Sequence, residues 1–408
     1  MYLKKTANYW MPALVLIVLA GLTLLNTQLS AQYKVSDDFA PRWMAARMWM
    51  REGTSPYSEE VFQATQNLLE EQGFTPESFS AGHFIDPSFY LLIYVPFSFV
   101  EYPLARALWM TLIEVAYLLA ALLAIKISGL KLSSLETILF ALLTLFFYPS
   151  FKLILTASIL PPFILLALWA CLLAIRGNTN GAGVLLFVCV GILPLTLPIA
   201  IFFMIWSGVR QNNSLAGVYF FGILFLIVSS LILFPGWVQE WFARFVGLYP
   251  DFSWVDTPLM RIAAIFPAAS QPISIGLHVA LLFYLLVEWY GLGSGDERTL
   301  RWKLMLTLNV LYFFNPLSQG AYLLLLLPGF FLIVKFLVEK WHKTGKIIGW
   351  ALYLALVYTY STRFFIAQNW QPRESSVVIL LLPMLTFLGL QWFRWWAIAS
   401  PKALIESS

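Results

Sequence analysis

Apolar runs close to membrane-spanning length recur along this chain, and that recurrence restricts its fold more than any other feature. A spanning helix needs about 20 mostly apolar residues, fewer where it is short or broken. The first run extends from about Tyr9 to Gln28, behind Lys4 and Lys5. Others lie near Leu104–Ile125, Leu135–Tyr148, Ser158–Ile175, Gly181–Ile192, Leu195–Val209 and Ser214–Phe234. The last group is near Gln271–Gly291, Leu304–Phe314, Gly320–Leu337, Ile347–Arg363 and Val377–Trp396. About twelve crossings are expected, in an all-α polytopic membrane protein with residues 1–408 as one integral membrane domain. Composition agrees: 60% of the 408 residues are hydrophobic and 11% charged, too few charges to cover a water-soluble body of this size. A disordered chain would need the opposite balance. With two cysteines, Cys171 and Cys189, both in apolar runs, a disulfide-built fold is excluded as well.

Orientation follows from the basic residues. With Lys4 and Lys5 in the cytoplasm, alternate turns carry Lys126 and Lys131, Arg176, Arg210, then Arg298, Arg301 and Lys303. Lys340, Lys343, Lys346, Arg394 and Lys402 complete the series, so the positive-inside rule places both termini in the cytoplasm. The first run reads as a retained anchor in the cell membrane; a cleaved signal peptide is the alternative. Two long polar segments then fall outside: residues 29–86, rich in acidic residues, and residues 235–269, rich in aromatic ones. The stretch Phe89–Phe99, split by Pro96, is too short for a span and reads as a re-entrant or interfacial piece. Prolines at membrane depth, Pro161, Pro162, Pro194, Pro198, Pro316 and Pro328, fit either an internal site or simple kinks.

In the first outer loop, Phe39–Arg51 has helical character, with Pro41 in its first turn, Gly53 beyond its end, and Trp43, Ala46 and Met50 on one face. A second amphipathic helix is expected over Glu59–Gln72, capped by Ser58 and stopped by Gly73, with a stripe of Val61, Thr65, Leu68 and Leu69. Asp37 and Asp38 precede the first of these helices. A carboxylate there can cap free amides, or it can act as a general base on an acceptor hydroxyl at the membrane boundary. Arg42, four residues after Asp38, is placed to hold that carboxylate ionised or to contact a phosphate.

The run Ser36-Asp37-Asp38-Phe39, Trp43-Met44-Ala45-Ala46 and Arg51-Glu52-Gly53-Thr54-Ser55-Pro56-Tyr57 resembles the opening of the family 87 glycosyltransferases of the GT-C class. Phe84-Ile85-Asp86-Pro87-Ser88-Phe89, Pro96 and Ala105-Arg106-Ala107-Leu108-Trp109 continue the resemblance. Asp256-Thr257-Pro258-Leu259-Met260-Arg261 and Asn315-Pro316-Leu317-Ser318-Gln319 with Tyr322 extend it along the chain. The chain departs from the family pattern at Leu193-Pro194, where the family often has a lysine before the proline. It departs again at Gly320-Ala321, where a histidine is frequent, and at Asp86 and Ser88.

The resemblance implies a membrane enzyme that moves a sugar, mannose or a related hexose, from a polyprenyl phosphate to a lipid-linked or cell-envelope glycan on the outer face. It implies Asp38 as the base, with Asp37 as the fallback. Because the donor is already activated, an inverting transfer needs one base and cations for the leaving phosphate. Arg42, Lys152, Arg261 and Arg363 are the expected cations; for Lys152 and Arg363, snorkelling at the membrane edge is the alternative. Asp86, His83, Trp254, Asp256, Gln319 and Tyr322 are expected around the sugar or acceptor. No cofactor, no metal and no nucleic-acid partner is expected: the three histidines have no metal-ligand spacing and no phosphate-loop motif occurs. The partners expected are membrane lipids, the donor and the glycan acceptor. The rival reading is a multi-pass lipid or solute transporter or flippase without transferase activity, for which Glu114 and Glu288, the latter near the cytoplasmic end of its span, are the main intramembrane charges. A non-catalytic scaffold is a third possibility with no feature in its favour.

Overall fold

The computed structural model describes the chain apart from residues 1–2, 35, 75–81, 192, 210–212, 249–256, 291, 293–295, 315–319, 367–375 and 396–408. Every regular element among the described residues is helical. In order these are α1 (Leu3–Gln32), α2 (Ala40–Glu52), α3 (Glu59–Glu71), α4 (Leu91–Ser98), α5 (Tyr102–Ser128), α6 (Ser134–Leu145) and α7 (Tyr148–Leu155). Next come α8 (Leu160–Ile175), α9 (Thr179–Val188), α10 (Leu193–Val209), α11 (Ser214–Leu233) and α12 (Trp237–Leu248). The last are α13 (Pro258–Ala263), α14 (Ser270–Trp289), α15 (Glu297–Phe314), α16 (Leu327–Ile366) and α17 (Ser376–Trp392).

Five stretches are long and apolar enough to cross a membrane: Pro12–Gln32, Tyr102–Ser128, Ser214–Leu233, Pro267–Trp289 and Tyr322–Ser361. Six shorter apolar helices accompany them. α6 illustrates the difference: 12 residues rise about 18 Å, against about 30 Å of hydrocarbon. Leu14, Val15, Leu16, Ile17 and Val18 on α1 are each more than half exposed, an apolar exterior that only lipid solvates.

The chain divides into two compact units, residues 1–116, 152–162 and 226–250 in one and the remainder in the other. In the second unit, α15 is buried on all sides from Thr299 to Phe313 except for Arg301, as a central helix must be. α16 contains a left-handed, non-helical residue at His342 (φ 46°). Beyond it, Gly345 and Gly349 pack against Leu337 and Val334. The segment therefore folds back on itself, as the two expected spans Gly320–Leu337 and Ile347–Arg363 require.

Most of the membrane prolines start helices rather than break them. Pro161 and Pro162 open α8, Pro194 opens α10 and Pro328 opens α16; the missing N–H has no intrahelical acceptor in a first turn. Pro198 lies inside α10, and Pro316 falls outside the described residues. The proline pattern therefore gives little support to broken helices around an internal site.

The first outer loop folds much as its turn residues dictate. α2 has Pro41 in its first turn and ends at Gly53, whose φ of 69° closes the helix with its N–H on the Trp49 carbonyl. Trp43 and Ala46 are buried; Met50, expected on the same face, is 46% exposed. Ser58 caps α3 by accepting from the Val61 amide, and Val61, Thr65 and Leu69 form its buried stripe. The stretch Phe89–Phe99 forms a 3-10 turn and then α4, and it packs on α2. The Trp43 indole N–H donates to the Phe97 carbonyl at 3.0 Å. Phe39 anchors the loop: fully buried, it stacks on Trp109 of α5 at 5.2 Å and meets Tyr94 and Phe97 edge-on.

Candidate active site

The two adjacent aspartates have different surroundings. Asp37 is 1% exposed. Its Oδ1 accepts from the Phe39 and Ala40 amides at 2.8 and 2.7 Å, which caps α2. Its Oδ2 accepts from Nε of Arg106, a residue with no exposed surface. The same guanidinium donates to the Ser30 hydroxyl and carbonyl and, at 2.6 Å, to the Leu155 carbonyl. Arg106 thus ties together the end of α1, the loop, α5 and the end of α7. All the lone pairs Asp37 presents to the protein are spoken for, so it is a structural carboxylate in this geometry.

Asp38 is different. It is partly exposed, and its backbone amide donates to the Thr156 carbonyl at 2.9 Å. Desolvation by its surroundings pushes the carboxyl up from 3.8 to about 6; Arg42 and the Ser158 hydroxyl pull it down, and the charges of Asp37 and Asp86 push it up. A carboxyl with that pKa is ionised at neutral pH and is basic enough to accept a proton.

Arg42 is engaged elsewhere than the sequence spacing implies. Its Nε and Nη2 make a forked pair with Asp86 at 2.7 and 3.0 Å, and Nη1 donates to the Asp38 carbonyl rather than to its carboxylate. The i, i+4 rule applies within a helix, and α2 begins at Ala40, two residues after Asp38. Both partners of the pair are almost buried. The Tyr94 hydroxyl donates to Asp86 Oδ2 at 3.3 Å and the Tyr57 hydroxyl to the Asp86 carbonyl at 2.7 Å. The Asp86 carboxylate and the Arg42 guanidinium, expected at sugar and phosphate, are first of all partners of each other.

His83 stacks on Phe62 with parallel rings 3.8 Å apart, and its Nδ1 lies 3.4 Å from Arg244 Nη1. Burial and then the Arg244 charge hold its pKa below the usual imidazole value. Arg244 also donates twice to the Tyr57 carbonyl and once to Glu59. Beside it on α12, Trp241 donates to the Ile85 carbonyl at 2.9 Å, and Glu240 accepts from Ser55 at 2.6 Å. The start of the second outer loop is therefore docked on the first. The Thr156 turn and α12 both reach this loop.

Lys152 lies part-buried on α7. Arg261 is part-buried on α13, whose N-cap is Thr257, and Tyr322 is 2% exposed; both belong to the second unit. Trp254, Asp256 and Gln319, and the side chain of Arg363, lie outside the described residues. Among the described residues, no three His, Cys, Asp or Glu side chains come together as a metal site. Arg106, Ser158, Tyr94 and Arg244 were not expected at the site. Only Arg106 gave a signal in sequence, as a lone cation at the mouth of an apolar helix opposite an acidic loop.

Among the described residues the regular structure is all-helical, with long apolar helices and with Asp37, Asp38 and Asp86 on a folded loop beside them, which defines an integral membrane protein. The model of glycosyltransferase family 87 matches residues 84–318. The chain belongs to that family and is a membrane glycosyltransferase. The match contains Asp86, Arg106, Lys152, Ser158 and Arg261 and begins after Asp37 and Asp38, so family membership does not depend on the proposed base. It replaces the transporter reading. No curated protein and no solved structure matches the chain.

Proposed function

We propose that this enzyme transfers a hexose, mannose or a close relative, from a polyprenyl phosphate to a lipid-linked or cell-envelope glycan on the extracytoplasmic face, with inversion at the anomeric carbon. The observation that carries this reading is the contrast between two neighbouring carboxylates: Asp37 is consumed by amides and Arg106, whereas Asp38 stays partly open with its pKa raised to about 6.

In the reaction, the acceptor hydroxyl attacks the anomeric carbon and its proton passes to an Asp38 oxygen. The bond from that carbon to the phosphate oxygen breaks, and the electron pair leaves with the polyprenyl phosphate. The acceptor oxygen gains its positive character only as the new bond forms, so a base positioned for that moment acts on the transition state. Arg42 holds the loop through Asp86 and the Asp38 carbonyl. Lys152 is the phosphate contact proposed within the first unit, and Arg261 and Arg363 those within the second. His83 and Asp86, with Trp254, Asp256, Gln319 and Tyr322, are the groups proposed for sugar or acceptor. The chemistry as drawn requires neither a cofactor nor a metal.

Membranes carrying wild type or Asp38→Asn, given a panel of radiolabelled polyprenyl-phosphate sugars and native lipid extract, test the proposal. Label should enter a glycan with wild type and one donor, and fail to enter it with the variant. Retained transfer by a folded Asp38→Asn protein would move the base elsewhere.

A further inference from the structure

Lys34 stands just beyond the outer end of α1 and the apolar stretch that ends at Gln32. Its neighbour in space is set by the way α3 stops. Gly73 takes φ 78° and its amide donates to the Glu70 carbonyl, while the Phe74 amide donates to that of Leu69, both at 2.9 Å. This glycine stop is the usual helix ending, and it places Phe74 where it is 5% exposed. Two cations meet the Phe74 ring: the Lys34 ammonium lies 4.9 Å from its centroid and the Arg106 guanidinium carbon 5.4 Å.

Arg106 has its counter-charge in Asp37. Among the described residues, no carboxylate forms an ion pair with Lys34. Partial burial and then the Arg106 charge hold its pKa below the usual lysine value, while Asp37 pulls it up. One ring therefore gathers two positive charges and a single negative one, and Asp38 follows Lys34 by four residues. A lysine at a membrane edge that needed only solvation would extend towards water. This one is folded over an aromatic ring beside another cation, an arrangement that an anion completes.

We propose that Lys34 binds the phosphate of the lipid-linked donor, as a second contact in the first unit in addition to Lys152. The proposal deepens the reading of Asp38 as the base in a transfer from a polyprenyl phosphate, and rests on it. Before transfer the phosphate is a diester with one negative charge. When its oxygen leaves the anomeric carbon, the electron pair adds a second. An ammonium beside that oxygen therefore stabilises the transition state more than the bound donor. The Phe74 ring holds the ammonium in place without neutralising it.

The experiment uses purified wild type, Lys34→Met, Lys34→Arg and Asp38→Asn in phosphatidylcholine nanodiscs. Binding of polyprenyl monophosphate and of uncharged polyprenol is measured, with transfer kinetics and thermal unfolding alongside. Wild type should prefer the phosphate to the alcohol by about tenfold or more. Lys34→Met should lose about tenfold in affinity for the phosphate and none for the alcohol, with kcat lowered too. Lys34→Arg should keep most of both. The unfolding midpoint of Lys34→Met should equal or exceed that of wild type, since a surplus cation is removed. Equal phosphate affinity in wild type and Lys34→Met overturns the proposal. So does weaker binding of both probes with a lowered midpoint, which would make the lysine structural. Displacement of the phosphate by phosphatidylglycerol at equal concentration also overturns it, since Lys34 would then be a general headgroup contact. A wild type without preference for the phosphate would refute the donor class and the proposal with it. Asp38→Asn should bind the phosphate as wild type does, and transfer by that variant would refute the base alone.

Discussion

Replacing Asp38 by asparagine should abolish transfer and, at neutral pH, make the protein more stable. The carboxyl's pKa rises from 3.8 to about 6 in the fold, so the folded state favours its protonated form. The group's contribution to stability is therefore complete below pH ~4 and is lost as pH rises through about 6. At pH 8 the wild type carries the whole cost of an ionised, desolvated carboxylate. Two pH units at about 1.36 kcal/mol each set an upper limit near 3 kcal/mol. Partial exposure of Asp38 to solvent reduces that to about 1–3 kcal/mol. Asparagine is nearly isosteric with the neutral acid, keeps an acceptor for Ser158 and carries no charge. Thermal unfolding of the purified protein in detergent should show Asp38→Asn with the higher midpoint at pH 8, the gain shrinking towards pH 4. A variant less stable than wild type at both pH values would refute the reasoning, since it would make Asp38 a satisfied structural ion. Strain retained at the reacting group is the usual cost of function.

The neighbouring position should behave oppositely. Asp37→Asn and Arg106→Ala each leave a buried charge unpaired and should destabilise the protein by about 3–5 kcal/mol, seen as lost yield or a lowered unfolding midpoint. The rate, kcat/KM plotted against pH, should rise through about 6 and then level, because Asp38 must be ionised to act. Gly222→Val should disturb the packing of α11 on α9, where an added side chain meets the Phe187 ring; a loss of about 1–3 kcal/mol is expected in unfolding measurements. Glu59→Gln, by contrast, removes an exposed pair with Arg244 and should cost less than about 1 kcal/mol.

The parts of this fold that could be read in the sequence are those set by local chemistry. Pro41 and Gly53 bound α2, and Ser58 and Gly73 bound α3, because caps and left-handed stops act within one turn of the chain. Apolar runs located the helices, but hydropathy does not say where a helix ends. α6 therefore proved shorter than the run containing it, and α15 proved a buried central helix. The pairings inside the site were not legible. Arg106 lies 69 residues from Asp37, and Arg42 lies 44 from Asp86. Only the packing of α2 against α4 and α5 brings these groups together. Arg42 holds Asp38 by its charge and through its carbonyl rather than by a helical i, i+4 pair with its carboxylate, since Asp38 stands before the helix on which the spacing rule depends.

The central claim is that Asp38 takes the proton in a transfer from a polyprenyl-phosphate sugar. Its most direct test is single-turnover transfer by purified wild type, Asp38→Asn and Asp38→Glu with the donor that labels glycan in membranes. The rate with asparagine should fall by about 10²–10⁴ while the protein stays folded and still binds the donor, and glutamate should recover part of it. Transfer by Asp38→Asn at the wild-type rate would contradict the claim.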